Sequence, residues 1–211
     1  MIPIGELALF ALAALVMVLT PGPNMIYLLS RSLAQGRGAG VISLFGVAAG
    51  FLVHMFAAAA GLTAVFMTVP LAYDVLRWLG ALYLGWLAWQ ALRPGARSPF
   101  ETRALPVDSN ARLFAMGFLT NALNPKIAVF YLSVFPQFVR PEHGSVLAQS
   151  LTLGFVQIAV SFAVNLTIIL SAAQLAAWFT KNPLWLGVQR WIMGCVLGGL
   201  AVRLALDDRR N

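Results

Sequence analysis

Leu19-Thr20-Pro21-Gly22-Pro23-Asn24 lies inside Leu7 to Ser30, a run without a single charged residue, and it decides what fold this chain can adopt. The run is long enough to cross hydrocarbon, which takes about 20 mostly apolar residues, yet two prolines interrupt its second half. Each proline removes a backbone donor and frees a carbonyl one turn upstream. At membrane depth that loss is tolerated only where neighbouring protein or a cavity satisfies the freed groups. The chain must therefore unwind at Pro21-Gly22-Pro23, and Asn24 is expected to cap a new helix running through Met25 and Leu28. A second break, Asn121-Ala122-Leu123-Asn124-Pro125-Lys126, interrupts the apolar run Leu113 to Val139. Here Asn124 stands at the expected cap and Pro125 at the first helical position, where proline is favoured. Two such breaks at matching places point to a cavity between them.

Composition agrees with a lipid solvent. Of 211 residues, 60% are hydrophobic and 10% charged, against roughly 25% charged in an ordinary soluble domain. The formal net charge of +7 does not indicate a nucleic-acid partner. That footprint needs basic residues clustered on one face, and here they are scattered between apolar runs. One cysteine, Cys195, excludes an internal disulfide framework. Together with two histidines it cannot complete a four-ligand zinc site of nitrogen and sulfur. No metal or cofactor is expected. Met1 to Gly5 has no basic segment, so residue 1 is expected to begin the working protein.

The charge-free runs predict six spans. After Leu7–Ser30 come Gly38–Tyr73, closed by Pro70 and long enough to include an interfacial turn, and Arg77–Leu92, rich in tryptophan. Residues 94–112 carry three prolines with arginines, Glu101 and Asp108 and cannot cross hydrocarbon. Then follow Leu113–Val139, Ser145–Thr180 and Trp185–Leu206. Residues 1–93 and 113–211 read as two repeats within one membrane domain. Arg77-Trp78-Leu79 with Leu84-Gly85 recurs as Arg190-Trp191-Ile192 with Leu197-Gly198, and Leu19-Thr20 before the first break recurs as Leu119-Thr120 before the second. With three spans each, the copies must run in opposite directions, the inverted repeat of many secondary transporters. The expected fold is an all-α polytopic membrane protein of six transmembrane helices, two inverted three-helix repeats with helices broken at the two proline motifs. Placing both termini outside puts Arg31, Arg37, Arg93, Arg97, Arg103, Arg112, Lys181 and Arg190 in the cytoplasm, against Arg77, Arg140, Arg203, Arg209 and Arg210 opposite. That is the positive-inside bias.

A half-helix starting inside the membrane presents unpaired amides and partial positive charge, which suit the carboxylate of a zwitterionic solute. Lys126 adds a full charge. The predicted substrate site is accordingly Pro21, Gly22, Pro23, Asn24, Asn121, Asn124, Pro125 and Lys126. His54, in the second span, can carry a proton or simply bond a neighbouring helix. Gln157, Ser161 and Asn165, at i, i+4 and i+8, form one polar stripe that can line a path or tie helices together. The pairs Gly46 with Gly50 and Gly194 with Gly198 read as close helix packing. An intramembrane enzyme would want a carboxylate pair, a Ser-His dyad or a metal cluster, and the spans offer only His54 and scattered serines. A scaffold without a transported solute explains the spans but leaves the paired breaks without a purpose.

Leu19-Thr20-Pro21-Gly22-Pro23-Asn24, Gly46-Val47-Ala48-Ala49-Gly50 with His54, Asn124-Pro125-Lys126 and Phe135-Pro136-Gln137-Phe138 together resemble the LysE/RhtB family of bacterial amino-acid exporters, over nearly the whole length. The resemblance implies a multi-pass protein of the bacterial inner membrane. It implies export of amino acids or close derivatives driven by the proton gradient, with lipid and a small-molecule substrate as partners and room for a homodimer. Several relatives carry an aspartate within the fifth span, where this chain reads Val160-Ser161-Phe162. A basic substrate would want such an acid, so its absence points to a neutral one, of the threonine, homoserine or leucine class.

Overall fold

The computed structural model describes residues 2–20, 22–68 (62–68 as backbone) and 106–174, with isolated positions between 78 and 92 and between 178 and 205. Pro21, most of the third and sixth spans, residues 94–105 and Gly194 lie outside the described residues, and with them the match between the segments at Arg77 and Arg190.

Among the described residues every regular element is helical. Helix α1 (Ile4–Leu19) is followed by α2 (Pro23–Gln35), whose axis is bent 57° from it, and α3 spans Arg37–Thr68. Helix α4 (Asn110–Ala122) is followed by α5 (Pro125–Val129), which continues through a π-helical turn, Phe130–Val134, and a tight turn, Phe135–Phe138, at 44° to α4. Helix α6 is Val146–Leu170. Two of these helices, over Arg37–Gly61 and Val146–Leu170, are long and apolar enough to cross a membrane unbroken, and each bent pair can make one further span.

Local sequence explains where the helices begin. The Ser109 hydroxyl accepts from the Arg112 amide (3.4 Å) and starts α4 at Asn110, and Ser145 does the same for α6 through Ala148 (3.3 Å). No breaker stands between Gly61 and Pro70, and α3 continues to Thr68; the end of this span at Pro70 lies outside the described residues.

Close backbone contact joins α3 to α4. A Cβ added to Gly46 would overlap the Phe114 carbonyl oxygen, one on Gly117 would overlap the Ser43 carbonyl oxygen, and one on Gly50 would lie 2.7 Å from the Asn121 Cβ. Small residues are what allow such an approach, and in lipid this packing replaces the hydrophobic effect as the force between helices. Elsewhere in the bundle, Phe10 of α1 is fully buried against Phe130, Phe135 and Phe138, with ring centroids 5.2–5.8 Å apart. Leu12, Ile26, Phe45, Phe56, Phe114 and Phe155 point outward, a belt of apolar surface that hydrocarbon, not water, would solvate.

Candidate functional site at the two helix breaks

The two proline motifs lie 100 residues apart in sequence and touch in space. The Asn124 side-chain nitrogen donates to the Asn24 side-chain oxygen at 3.0 Å, in a buried contact. Asn124 also caps α5, its side-chain oxygen accepting from the Lys126 amide at 3.0 Å, so both ends of its side chain are engaged. Asn24 does not cap α2, contrary to expectation. Gly22 occupies the capping position and Pro23 the first turn. Asn24 lies one residue further in, where its side chain points across to the other break instead of back to its own helix.

Lys126 is 8% exposed and lies between the breaks. Its Nζ donates to the Thr20 carbonyl oxygen, and a Cβ placed on Gly22 would come within 3.2 Å of that nitrogen. The lysine is therefore buried in protein. It is folded over the backbone of the first break, and glycine at position 22 leaves it room. A cavity of about 10 Å³, room for about one water, is lined by Thr20, Gly22, Asn24, Asn124, Lys126 and Asn165, with Met17, Val18, Met25, Phe51 and Ile127. Among the described residues, Lys126 is the only ionisable one in that wall. In the first turn of α2 the Asn24 and Met25 amides have no intrahelical acceptor.

The remaining predicted residues divide. Asn165 reaches the cavity; Gln157 and Ser161 do not. They form a buried chain in which Tyr131 Oη donates to Gln157 Oε1 (2.7 Å), Gln157 Nε2 donates to Ser161 Oγ (2.8 Å), and Asn165 Nδ2 donates to the Ser161 carbonyl (2.8 Å). His54 lies beside this chain, its ring stacked on Tyr131 at 5.8 Å. Its Nε2 meets the Asn121 carbonyl at 3.0 Å. Pro125 has no N–H to offer that carbonyl, and the Asn124 amide (2.9 Å) and His54 take its place. The Asn121 side chain is fully buried, and neither of its amide atoms has a hydrogen-bond partner among the described residues. It lies outside the cavity wall.

Two groups escape the sequence reading. Tyr131 stands in an apolar run, and nothing in the spacing ties it to Gln157, 26 residues on. At the other end of α2, Arg31 pairs with Asp108 at 2.7 Å, the two side chains 8% and 3% exposed. The Arg31 Nη1 hydrogens point to Gln35 Oε1 (3.4 Å) and the Pro106 carbonyl (3.3 Å), so the contact with Asp108 is an ion pair without hydrogen-bond alignment. Gln35 in turn bonds the Asp108 backbone through both its N–H (3.1 Å) and its C=O (3.0 Å). Arg31 and Asp108 read as ordinary loop charges because no local spacing links residues 77 positions apart.

A profile of the LysE type translocator family matches residues 15–208, a stretch that contains both breaks. This chain belongs to that family. The translocator is 34% identical over 174 residues to a homoserine/homoserine lactone efflux protein of Salmonella typhimurium, covering 82% of this chain and 83% of the relative. It is 28% identical over 196 residues to a leucine efflux protein of Enterobacter, covering 93% of each. No solved structure matches it. The membrane setting expected from composition thus agrees with the family, and the translocator is an integral membrane protein.

Proposed function

We propose that this translocator exports amino acids or close derivatives across the bacterial inner membrane by proton-coupled secondary transport, and that its substrates are neutral. The two broken helices belong to inverted repeats and meet at a midplane site, where Lys126, the Asn24 side-chain nitrogen and the first amides of α2 hold the substrate carboxylate. Asn124 clasps the two breaks together, and the protein needs no catalytic group of its own.

The observation that carries this reading is the lysine ammonium buried between two helix breaks, in a cavity wall that among the described residues contains no acidic side chain. An ionisable residue kept at membrane depth is expensive and marks a solute pathway, and helix breaks at membrane depth are the usual place for one. The family match and the efflux relatives support export of an amino acid. A cation in the wall, with no acid beside it among the described residues, would repel lysine or arginine side chains, which supports neutral substrates.

The test is efflux of a panel of labelled neutral and basic amino acids, comparing the native protein with Lys126→Ala at matched membrane abundance. Export of at least one neutral amino acid, dependent on the proton gradient and lost in the variant, is expected. Undiminished export by Lys126→Ala would remove the site from the breaks.

A further inference from the structure

Resting on the amino-acid reading above, we propose that Asn165 is the residue that recognises the substrate's α-ammonium group, its side-chain oxygen accepting a hydrogen bond across the cavity from Lys126. The argument is an account of acceptors. A zwitterion brings two ends into the cavity, and Lys126 with the α2 amides serves only the carboxylate. The ammonium carries three donors, and burying them without acceptors would be costly.

Among the described residues, three asparagine oxygens belong to the cavity wall. That of Asn24 accepts from Asn124, and that of Asn124 accepts from the Lys126 amide. The Thr20 carbonyl holds the Lys126 ammonium. Asn165 differs. Its nitrogen is the atom that donates to the Ser161 carbonyl at 2.8 Å, which fixes the amide's orientation, and among the described residues no donor is bonded to its oxygen. The residue is 2% exposed and lines the cavity, so its oxygen is left to meet a donor there.

The supporting chain is rigid. Tyr131 holds Gln157, Gln157 holds Ser161 and Ser161 holds Asn165. Asn165 also stands on α6, an unbroken helix, whereas Lys126 and Asn24 stand on broken ones. The cavity thus offers donors from Lys126 and the α2 amides and an unused acceptor at Asn165, the complement that an α-amino acid requires.

The experiment compares L-leucine and L-homoserine with their deaminated counterparts, 4-methylpentanoate and 4-hydroxybutanoate, by ligand-dependent thermal stabilisation of the purified full-length protein. The native protein should prefer each amino acid that it binds over the deaminated acid. A hydrogen bond to a charged group predicts a preference of about tenfold to a hundredfold. Asn165→Leu should erase that preference while leaving the affinity for the deaminated acid within about threefold. Asn165→Asp, which keeps the side chain's shape and adds charge, should raise the preference above the native value and guards against misfolding of the leucine variant. A leucine variant that keeps the preference, or an aspartate variant that does not raise it, would overturn the assignment. If the native protein binds both members of a pair equally, the ammonium is not recognised and the proposal falls while carboxylate binding stands. If it binds none of the four, the amino-acid reading itself falls and takes this proposal with it.

Discussion

Replacing Asp108 by asparagine tests how α2 is fastened to the start of α4. The substitution preserves shape and removes one charge, leaving the Arg31 guanidinium, whose side chain is 8% exposed, without its counterion. Removing one partner of a buried ion pair costs about 3–5 kcal/mol, because the other charge stays desolvated. Two features of the site set the value near the lower end. Arg31 keeps its contacts to Gln35 and the Pro106 carbonyl, both long at 3.4 and 3.3 Å, and the second ion pair of Asp108, with Arg112 at 3.1 Å, involves a side chain that is 67% exposed. An exposed partner contributes under about 1 kcal/mol. The expected loss is therefore about 3 kcal/mol, read as the change in unfolding free energy in mixed micelles titrated with a denaturing detergent. Because the pair is buried, 0.5 M salt should leave the difference largely intact. The double variant Arg31→Met/Asp108→Leu should be more stable than Asp108→Leu alone, since it removes the stranded charge with its partner. A loss below about 1 kcal/mol for Asp108→Asn, or a double variant no better than the single one, would refute the reasoning.

Gly46→Leu should destabilise the protein by about 3 kcal/mol or more, the upper range for overpacking, because a backbone carbonyl that cannot move aside blocks its Cβ. Gly61→Ala, with nothing within 4 Å of its added Cβ, should be neutral or slightly stabilising in the same unfolding titration. Asn124→Ala removes the α5 cap and the link to Asn24 together and should cost about 2 kcal/mol, with efflux falling as the two breaks separate. His54→Phe keeps the stack on Tyr131 but deletes the donor to the Asn121 carbonyl. About 1 kcal/mol of stability should be lost with efflux per folded molecule unchanged, and loss of proton-driven efflux at native stability would instead make His54 the coupling residue.

The sequence made the membrane setting and the two breaks legible because both are written locally. Charge-free runs report hydrocarbon length, and a proline in such a run must unbond a carbonyl. Which group His54 bonds came only with the structure: it holds the carbonyl freed by Pro125. The glycines of α3 also read correctly as packing, because only close backbone approach makes use of that spacing. What stayed hidden is long-range. Asn24 looked like a cap because capping is a local habit, but Gly22 already fills that position, and the asparagine serves a partner 100 residues away. The polar stripe on α6 was visible as a stripe, yet its division into a buried chain and one cavity-facing residue depends on where Tyr131 falls. Arg31 and Asp108 were invisible as a pair for the same reason.

A cavity with room for about one water cannot hold an amino acid, so on the proposed function the breaks must part to admit substrate, and the packing constrains which piece moves. Helix α4 is held to α3 by backbone contact at Gly46, Gly50 and Gly117, which leaves little freedom between them. Helix α2 is held to its neighbours by side chains instead. Tyr27 Oη donates to the Leu113 carbonyl (2.6 Å), Ser32 Oγ donates to the Ile169 carbonyl (3.1 Å), and Arg31 meets Asp108. Polar fastenings of this kind can be exchanged for water one at a time, whereas interlocked backbones cannot. Opening toward the Arg31 end is therefore a movement of α2 against a fixed α3–α4 pair. On the opposite face the fastening is the Phe10 cluster with Glu6 and Arg140, an ion pair at 3.1 Å whose side chains are 26% and 40% exposed. That pair is the more easily hydrated and screened of the two. Aromatic packing therefore carries most of the closure on the Glu6 face and charge carries it on the Arg31 face, so salt and charge-removing substitutions should act unequally on the two directions of opening.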